Sequence, residues 1–379
     1  MDGQMIERFH EHFGKMADPR VERSRLYPLQ EILFVLLCGS ICGAESWRDF
    51  VMFGQEKLDF LREYFPFSAG IPCKNTFARV CAALEPEQFR SCFLAWAASL
   101  KRVPGEVIAI DGKTLCNSAD AAAGAAAIHM VSAFATDSRL VLAQQKVAEK
   151  SNEITAIPAL PDLLDVSGHT VTIDAMGCQR SIAKKIRDRG ADYVLALKGN
   201  QGTLNDDVRL FLQTEAAKPV SLAISDIWGE ADAGHGRVES RRCIVSDHLD
   251  WLEQRPEWSG LRSIAIELKK RATSTAKSAA SGAFSSAVCQ PMPGKLPRRC
   301  APTGRSRTRC TGRLMSCSTK TTRPCAKTMH RRTWPSCAMW LLNMLNTAKK
   351  QFKGVGVKAL RKKAGWGNDN LRLILKNSF

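Results

Sequence analysis

No Asp or Glu occurs between Glu267 and Asp369 of this 379-residue chain. Other features are missing too, and each absence excludes something. The fourteen cysteines include no Cys-x-x-Cys pair, so a zinc scaffold of that spacing is set aside. Cys38 and Cys42, in an apolar helical stretch, read as free buried thiols. No Gly-x-Gly-x-x-Gly follows an apolar strand-like run, which removes a dinucleotide-binding fold. The first residues carry Asp2, Glu7 and Glu11 instead of a basic leader, so no secretory signal is expected. The apolar run Ile32 to Cys42 is shorter than the ~20 residues a membrane helix needs. A soluble cytoplasmic protein without a membrane partner is the expectation.

What is present divides sharply by charge. Up to Glu267 there are 30 Lys and Arg against 36 Asp and Glu, and from Leu268 onward 25 against one, Asp369. The net charge of +18 therefore belongs to the tail. With 45% apolar residues the chain can bury a substantial core and hold two domains.

Between Arg271 and Ala338, Phe284, Val288, Leu296 and Leu314 are the whole complement of Val, Ile, Leu and Phe in 68 residues. So little apolar surface cannot offset the ordering entropy of a folded segment, and disorder is expected. A basic nucleic-acid arm would explain the 14 Lys and Arg there, but six cysteines fit such an arm poorly. A gene read out of frame gives this unpatterned mixture, with compensating slips near Lys269 and Ala338. At Met339 a helical apolar pattern returns.

From Met1 to Leu100 the pattern is helical. Leu29, Ile32, Leu33 and Leu36 share a face after Pro28, and further apolar runs span Phe50 to Phe65 and Phe89 to Leu100. Asn75 and Thr76 could cap a helix bearing Lys74 and Arg79, which leaves open a helix-turn-helix or an ordinary helix pair. After Pro104-Gly105 come strands at Val107 to Ile110, Ile128 to Ala135 and Leu140 to Val147, then a helix at Asn152 to Leu164. A strand at Thr170 to Ile173, a helix at Gln179 to Arg189 and a strand at Tyr193 to Leu197 follow. Three strands before alternating β and α units predict an α/β fold: an RNase H-like mixed sheet with flanking helices, preceded by a small all-α domain.

Asp111 and Asp174 each follow an apolar strand, and in such a sheet those strands are neighbours. Two facing carboxylates repel unless a cation joins them, and Mg²⁺ prefers oxygen ligands. A metal pair about 3.5–4 Å apart activates a water or a 3′-hydroxyl in phosphoryl transfer. Taken singly, an Asp that ends a strand before Gly is commonly a turn residue, and it is the pair at matching positions that favours a site.

The segments Ala109-Ile110-Asp111-Gly112-Lys113-Thr114, Ile128 to Phe134, Glu149 to Ile154, Thr172-Ile173-Asp174-Ala175-Met176-Gly177-Cys178-Gln179 and Leu197-Lys198-Gly199-Asn200-Gln201 closely resemble the H-repeat-associated insertion-sequence transposases, a DDE-type group. The likeness covers about Pro28 to Glu267 and resumes from about Leu341 to Leu375. It implies metal-dependent strand cleavage and transfer, with Asp111 and Asp174 as catalytic ligands of Mg²⁺ or Mn²⁺. It further implies DNA as partner, both element ends and target, and a homodimer in the active form. Lys113, Lys198 and Arg237, the last in a family-like His235-Gly236-Arg237-Val238-Glu239 run, become phosphate-contact candidates.

The family's third acid lies in a Trp-x-x-Glu-Asn stretch before the C-terminal apolar helix, around Thr303 to Thr311 here. This chain reads Thr-Gly-Arg-Ser-Arg-Thr-Arg-Cys-Thr at that place. Glu267 is not an obvious substitute, because it lies inside the apolar run Ile264 to Leu268, and Glu239 is conceivable but belongs to a different segment. The resulting division is a helical domain over 1–103, an RNase H-like catalytic domain with an inserted β segment over 104–270, an out-of-frame segment over 271–338 and a C-terminal helical remnant over 339–379. An inactive transposase, a non-catalytic DNA-binding remnant and an active RNase H-like nuclease that recruits Glu239 or Glu267 are the functional expectations.

Overall fold

A computed structural model describes residues 2–100, 102–114, 129–147, 157, 164–234, 237–273, 283–289 and 334–379. The expected helix over Asn152 to Leu164 lies mostly outside them, as does the position of the family's third acid.

The first hundred residues form helices α1 (Asp2–Phe13), α2 (Leu29–Cys42), α3 (Trp47–Glu56), α4 (Leu58–Arg62), α5 (Lys74–Ala83) and α6 (Pro86–Ser99). Pro28 and Glu85 stand at the N-caps of α2 and α6, and Pro86 takes the first helical position, where a missing N–H costs nothing. Helix α2 departs from the one-faced pattern: eleven of its fourteen residues are buried, so it runs through the core and does not lie on it. Taken alone, Glu22–Cys42 is long and apolar enough to cross a membrane, which the shorter run from Ile32 did not suggest. In this fold 61% of that apolar window is buried inside the protein. The N-cap of α5 is Cys73, with no side-chain cap bond, so the proposed Asn75 or Thr76 cap is not the one used.

Strands β1 (Val107–Thr114), β2 (His129–Ala135), β3 (Leu140–Val147), β4 (Thr170–Ile173) and β5 (Asp192–Leu197) follow, with helix α7 (Arg180–Asp188) between the last two. They join in the order β3-β2-β1-β4-β5, with β1, β4 and β5 parallel and the β1–β2–β3 meander antiparallel. This is the mixed sheet expected from the element order. Helix α8 (Gly202–Ala217) and strands β6 (Asp226–Gly234), β7 (Arg237–Ser246) and β8 (Ser263–Thr273) form the inserted segment. Strand β9 (Ala283–Cys289) couples it to β5, completing the order β5-β9-β8-β7-β6. Within 271–338 the described residues are strand and helix, and most of that segment lies outside the described residues. The edge of β5 away from β4 presents backbone groups that pair with the Ala283–Cys289 strand.

The core is built on strand alternation. Ile108, Ile110, Val171, Ile173, Tyr193 and Leu195 meet Ile182 and Ile186 of α7 and Leu204, Val208 and Leu212 of α8. Their spacing of two along the strands and of four along the helices is what lets both elements bury one face.

Helices α9 (Trp334–Lys349), α10 (Val357–Trp366) and α11 (Asn368–Lys376) close the chain. They share one apolar core with α1 to α6. Trp340 stacks on Phe13 at 4.3 Å and meets Trp96 edge-on at 6.0 Å. Trp96 donates from Nε1 to the Ser378 carbonyl at 2.9 Å, and Arg8 donates to the Phe379 carbonyl.

Candidate carboxylate site

The site starts from the pairing of β1 with β4. Their parallel register ends at Ile110 opposite Ile173, so Asp111 and Asp174 occupy the next rung on adjacent chains. Neighbouring strands lie about 4.7–4.9 Å apart, which makes the two acids lateral neighbours at the C-terminal ends of parallel strands. Both are partly exposed. Asp111 differs from expectation in one respect. It stands inside β1, which runs on to Thr114 and stays paired with β2, opposite Ser132. Asp174 does end its strand: its Oδ1 accepts the Met176 N–H at 3.2 Å and caps a short 3-10 turn, Ala175–Gly177.

That turn is tight for a reason visible at Gly177. A Cβ there would lie 2.2 Å from Ile173 Cγ2 and 3.1 Å from Ile157 Cδ1, both core atoms. The loop after β5 is tied to it, because Gln201 donates from Nε2 to the Cys178 carbonyl at 2.6 Å. Lys198, exposed and directly after β5, therefore stands at the same sheet edge as the two acids. Lys113 is two residues beyond Asp111 in β1, opposite Met130.

On the other side, a polar row continues the site. Ser132 pairs with Asp111 and with Gln144 of β3, and Gln144 Nε2 donates to Ser132 Oγ at 3.0 Å. Ser132, Gln144 and Gln201 were not among the sequence candidates. A polar residue in the middle of the apolar run Met130 to Phe134 was the available signal for the first of them.

Other candidates fall elsewhere. Ile173, Leu195, Val288, Ile264 and Ser246 form one row across β4, β5, β9, β8 and β7. Counting from that row, Glu267 lies three strands from Asp174, about 14 Å sideways, and it is 1% exposed. Glu239 lies on β7, four strands across and six residues beyond the acid row, each displacement about 20 Å. The ions of a two-metal site are only about 3.5–4 Å apart, so neither acid can serve as a third ligand in this arrangement. Arg237 begins β7, opposite Gly234 and Thr273, and lies farther still along that strand. Among the described residues no group of three or more His, Cys, Asp or Glu could hold a metal ion. The two carboxylates present are hard oxygen donors that suit Mg²⁺ or Mn²⁺, as half of a site.

Comparison with known proteins shows the family. The family model described as Transposase DDE domain matches residues 103–329, and the model described as DDE_Tnp_1-associated matches residues 10–97. A protein of Xanthobacter autotrophicus, described as an uncharacterized protein in the dhlA 3′ region, is 42% identical over 266 residues, 68% of this chain and 87% of that one. The H repeat-associated putative transposase YhhI of Escherichia coli strain K12 is 41% identical over 268 residues, 70% of each chain. Among solved structures, a piggyBac transposase synaptic complex with hairpin DNA aligns with 99% of this chain and 78% of its own at 10% identity and a TM-score of 0.35, too slight a likeness to argue from. With the family model covering more than half its length, the chain belongs to the DDE transposase family.

Proposed function

We propose that this chain is by descent a metal-dependent DNA transposase whose carboxylate site has lost its third acid, leaving a protein that holds DNA without cutting it. The observation that carries the reading is the shared rung of Asp111 and Asp174, with Lys198 at the same edge and no acid of the chain between Glu267 and Asp369. Asp111 and Asp174 would hold a divalent cation, Mg²⁺ or Mn²⁺. That ion supplies Lewis-acid activation of an attacking water or 3′-hydroxyl and charge stabilisation at the leaving oxygen. The chain's own part is to fix two carboxylates side by side, one within a strand and one by a turn cap, and to offer Lys198 and Lys113 to phosphates. Removing one ligand takes away charge that holds the ions, at a cost of several kcal/mol in barrier lowering.

Two compensating frame slips account for the defect. Apolar patterning stops after Leu268 and resumes at Met339, and the resumed segment packs into the core with α1 to α6. Element ends and target DNA are the partners, the active ancestor works as a homodimer, and the compartment is the cytoplasm.

The test is cleavage of the element's terminal DNA with Mg²⁺ or Mn²⁺. The purified chain is expected to give no cut product. A version with the reading frame repaired over residues 268–340 is expected to cut and to lose that activity on Asp111→Asn. Robust cleavage by the unrepaired chain, abolished by Asp111→Asn, would overturn the proposed defect. A repaired version indifferent to Asp111→Asn would overturn the site itself.

A further inference from the structure

The α9–α10 corner is densely basic. From Lys349 to Asn368 the sequence has seven basic residues and no acid. Lys350 and Lys353 are exposed on the turn after α9, and Lys358, Lys362 and Lys363 are exposed on α10. Among the described residues none of these five takes part in an ion pair; Asp369, the nearest acid in sequence, is joined to Arg372 at 2.7 Å.

The helix is amphipathic in an unusual sense. Leu360, Arg361 and Ala364 are buried, and Arg361 donates to the Ser40 carbonyl at 3.0 Å, so one basic residue anchors the helix to α2. Lys358, Lys362 and Trp366 follow at four-residue spacing and so line one outward stripe, with Lys363 beside them. Trp366 is 79% exposed, in a protein whose Trp96, Trp258 and Trp340 are buried. The exposed indole beside these lysines gives the stripe a flat apolar face next to its positive charge.

We propose that the α9–α10 corner is a DNA-backbone docking surface, with Lys350, Lys353, Lys358, Lys362 and Lys363 on the phosphates and Trp366 packed on the adjoining sugar. Charge complementarity selects the partner: five exposed ammonium groups on one corner, none ion-paired among the described residues, match a polyanion, and each phosphate neutralised releases condensed counterions. The surface lies in the C-terminal helices, elements separate from the strands that carry Asp111 and Asp174, and the inference rests on the proposed reading of the chain as a DNA-holding protein. It is independent of whether that rung is active.

The experiment titrates full-length protein with a mixed-sequence duplex by fluorescence anisotropy at several KCl concentrations. Lys358→Gln/Lys362→Gln/Lys363→Gln should weaken binding about tenfold near 0.1 M salt and reduce the slope of log K against log salt by about 2 to 3. Trp366→Ala should weaken it about fivefold with the slope unchanged, because its contact is not ionic. Lys15→Gln/Lys184→Gln, exposed charges outside the α9–α10 segment, is the control and should alter neither by as much. Protection of Lys358 and Lys362 from acetylation by bound duplex reads the same surface in the unaltered protein. An unchanged slope in the triple variant, equal acetylation with and without DNA, or a loss confined to phosphatidylserine vesicles would each overturn the assignment.

Discussion

Asn343 of α9 and Val141 of β3 are joined by two hydrogen bonds: the Val141 N–H donates to Asn343 Oδ1 at 2.7 Å, and Asn343 Nδ2 donates to the Val141 carbonyl at 2.8 Å. β3 is an outer strand of the sheet, so its unpaired backbone groups are a liability that one amide side chain here satisfies. Asn343 is fully buried. Asn343→Ala leaves a buried donor and a buried acceptor without partners and is expected to cost about 2–4 kcal/mol, measured by urea unfolding. Asn343→Asp should cost no less, since a carboxylate cannot donate to the Val141 carbonyl.

Trp340→Ala should be among the most damaging single changes, at about 3–5 kcal/mol by thermal or urea unfolding. Its ring lies against Phe13, Phe9, Phe89, Trp96 and Phe379. A loss under about 1 kcal/mol would mean that the last forty residues do not complete the helical core.

Glu31 is buried in α2, and its Oε1 accepts the Phe67 N–H at 2.8 Å, where Phe67 adopts the left-handed φ of 46°. Burial raises its pKa above the usual glutamate value, the Phe67 bond opposing this only in part. A carboxyl whose folded pKa is raised favours the folded state when protonated. Stability is therefore present below the unfolded value of about 4.3 and falls as pH rises toward the higher folded value. Glu31→Gln keeps an acceptor and removes the titration. Its stability relative to the unaltered chain should improve from pH 4 to pH 7; a difference constant over that range would contradict the assignment.

Gly177→Ala drives a methyl group into Ile173 and Ile157. A loss of about 1–3 kcal/mol is expected. The turn that orients Asp174 should shift with it, so Mn²⁺ affinity, followed by electron paramagnetic resonance, should fall along with stability. Stability lost without any change in Mn²⁺ affinity would separate the turn from the site.

The sequence disclosed the sheet well because its strands are short apolar runs bounded by turn residues; strand order made Asp111 and Asp174 neighbours, and the family resemblance supplied their role as metal ligands. It misplaced the end of β1, since Asp111-Gly112-Lys113-Thr114 has turn-like composition, yet pairing with β2 holds it extended. Helix α8 went unread although Leu204, Val208 and Leu212 stand four apart. The cap at Cys73 was invisible, because backbone geometry without a side-chain bond leaves no residue signature. Ser132 and Gln144 become neighbours of Asp111 only through strand register, which composition does not encode.

The sharing of one apolar interior by α1 to α6 and α9 to α11 sets the order of events during synthesis. Helices translated first must wait, sticky side exposed, for more than two hundred further residues before Trp340 and Leu345 emerge to cover them. Such long-range closure is slow and exposes the nascent chain to aggregation, so ribosome-bound chaperones should engage it early and release it only on termination.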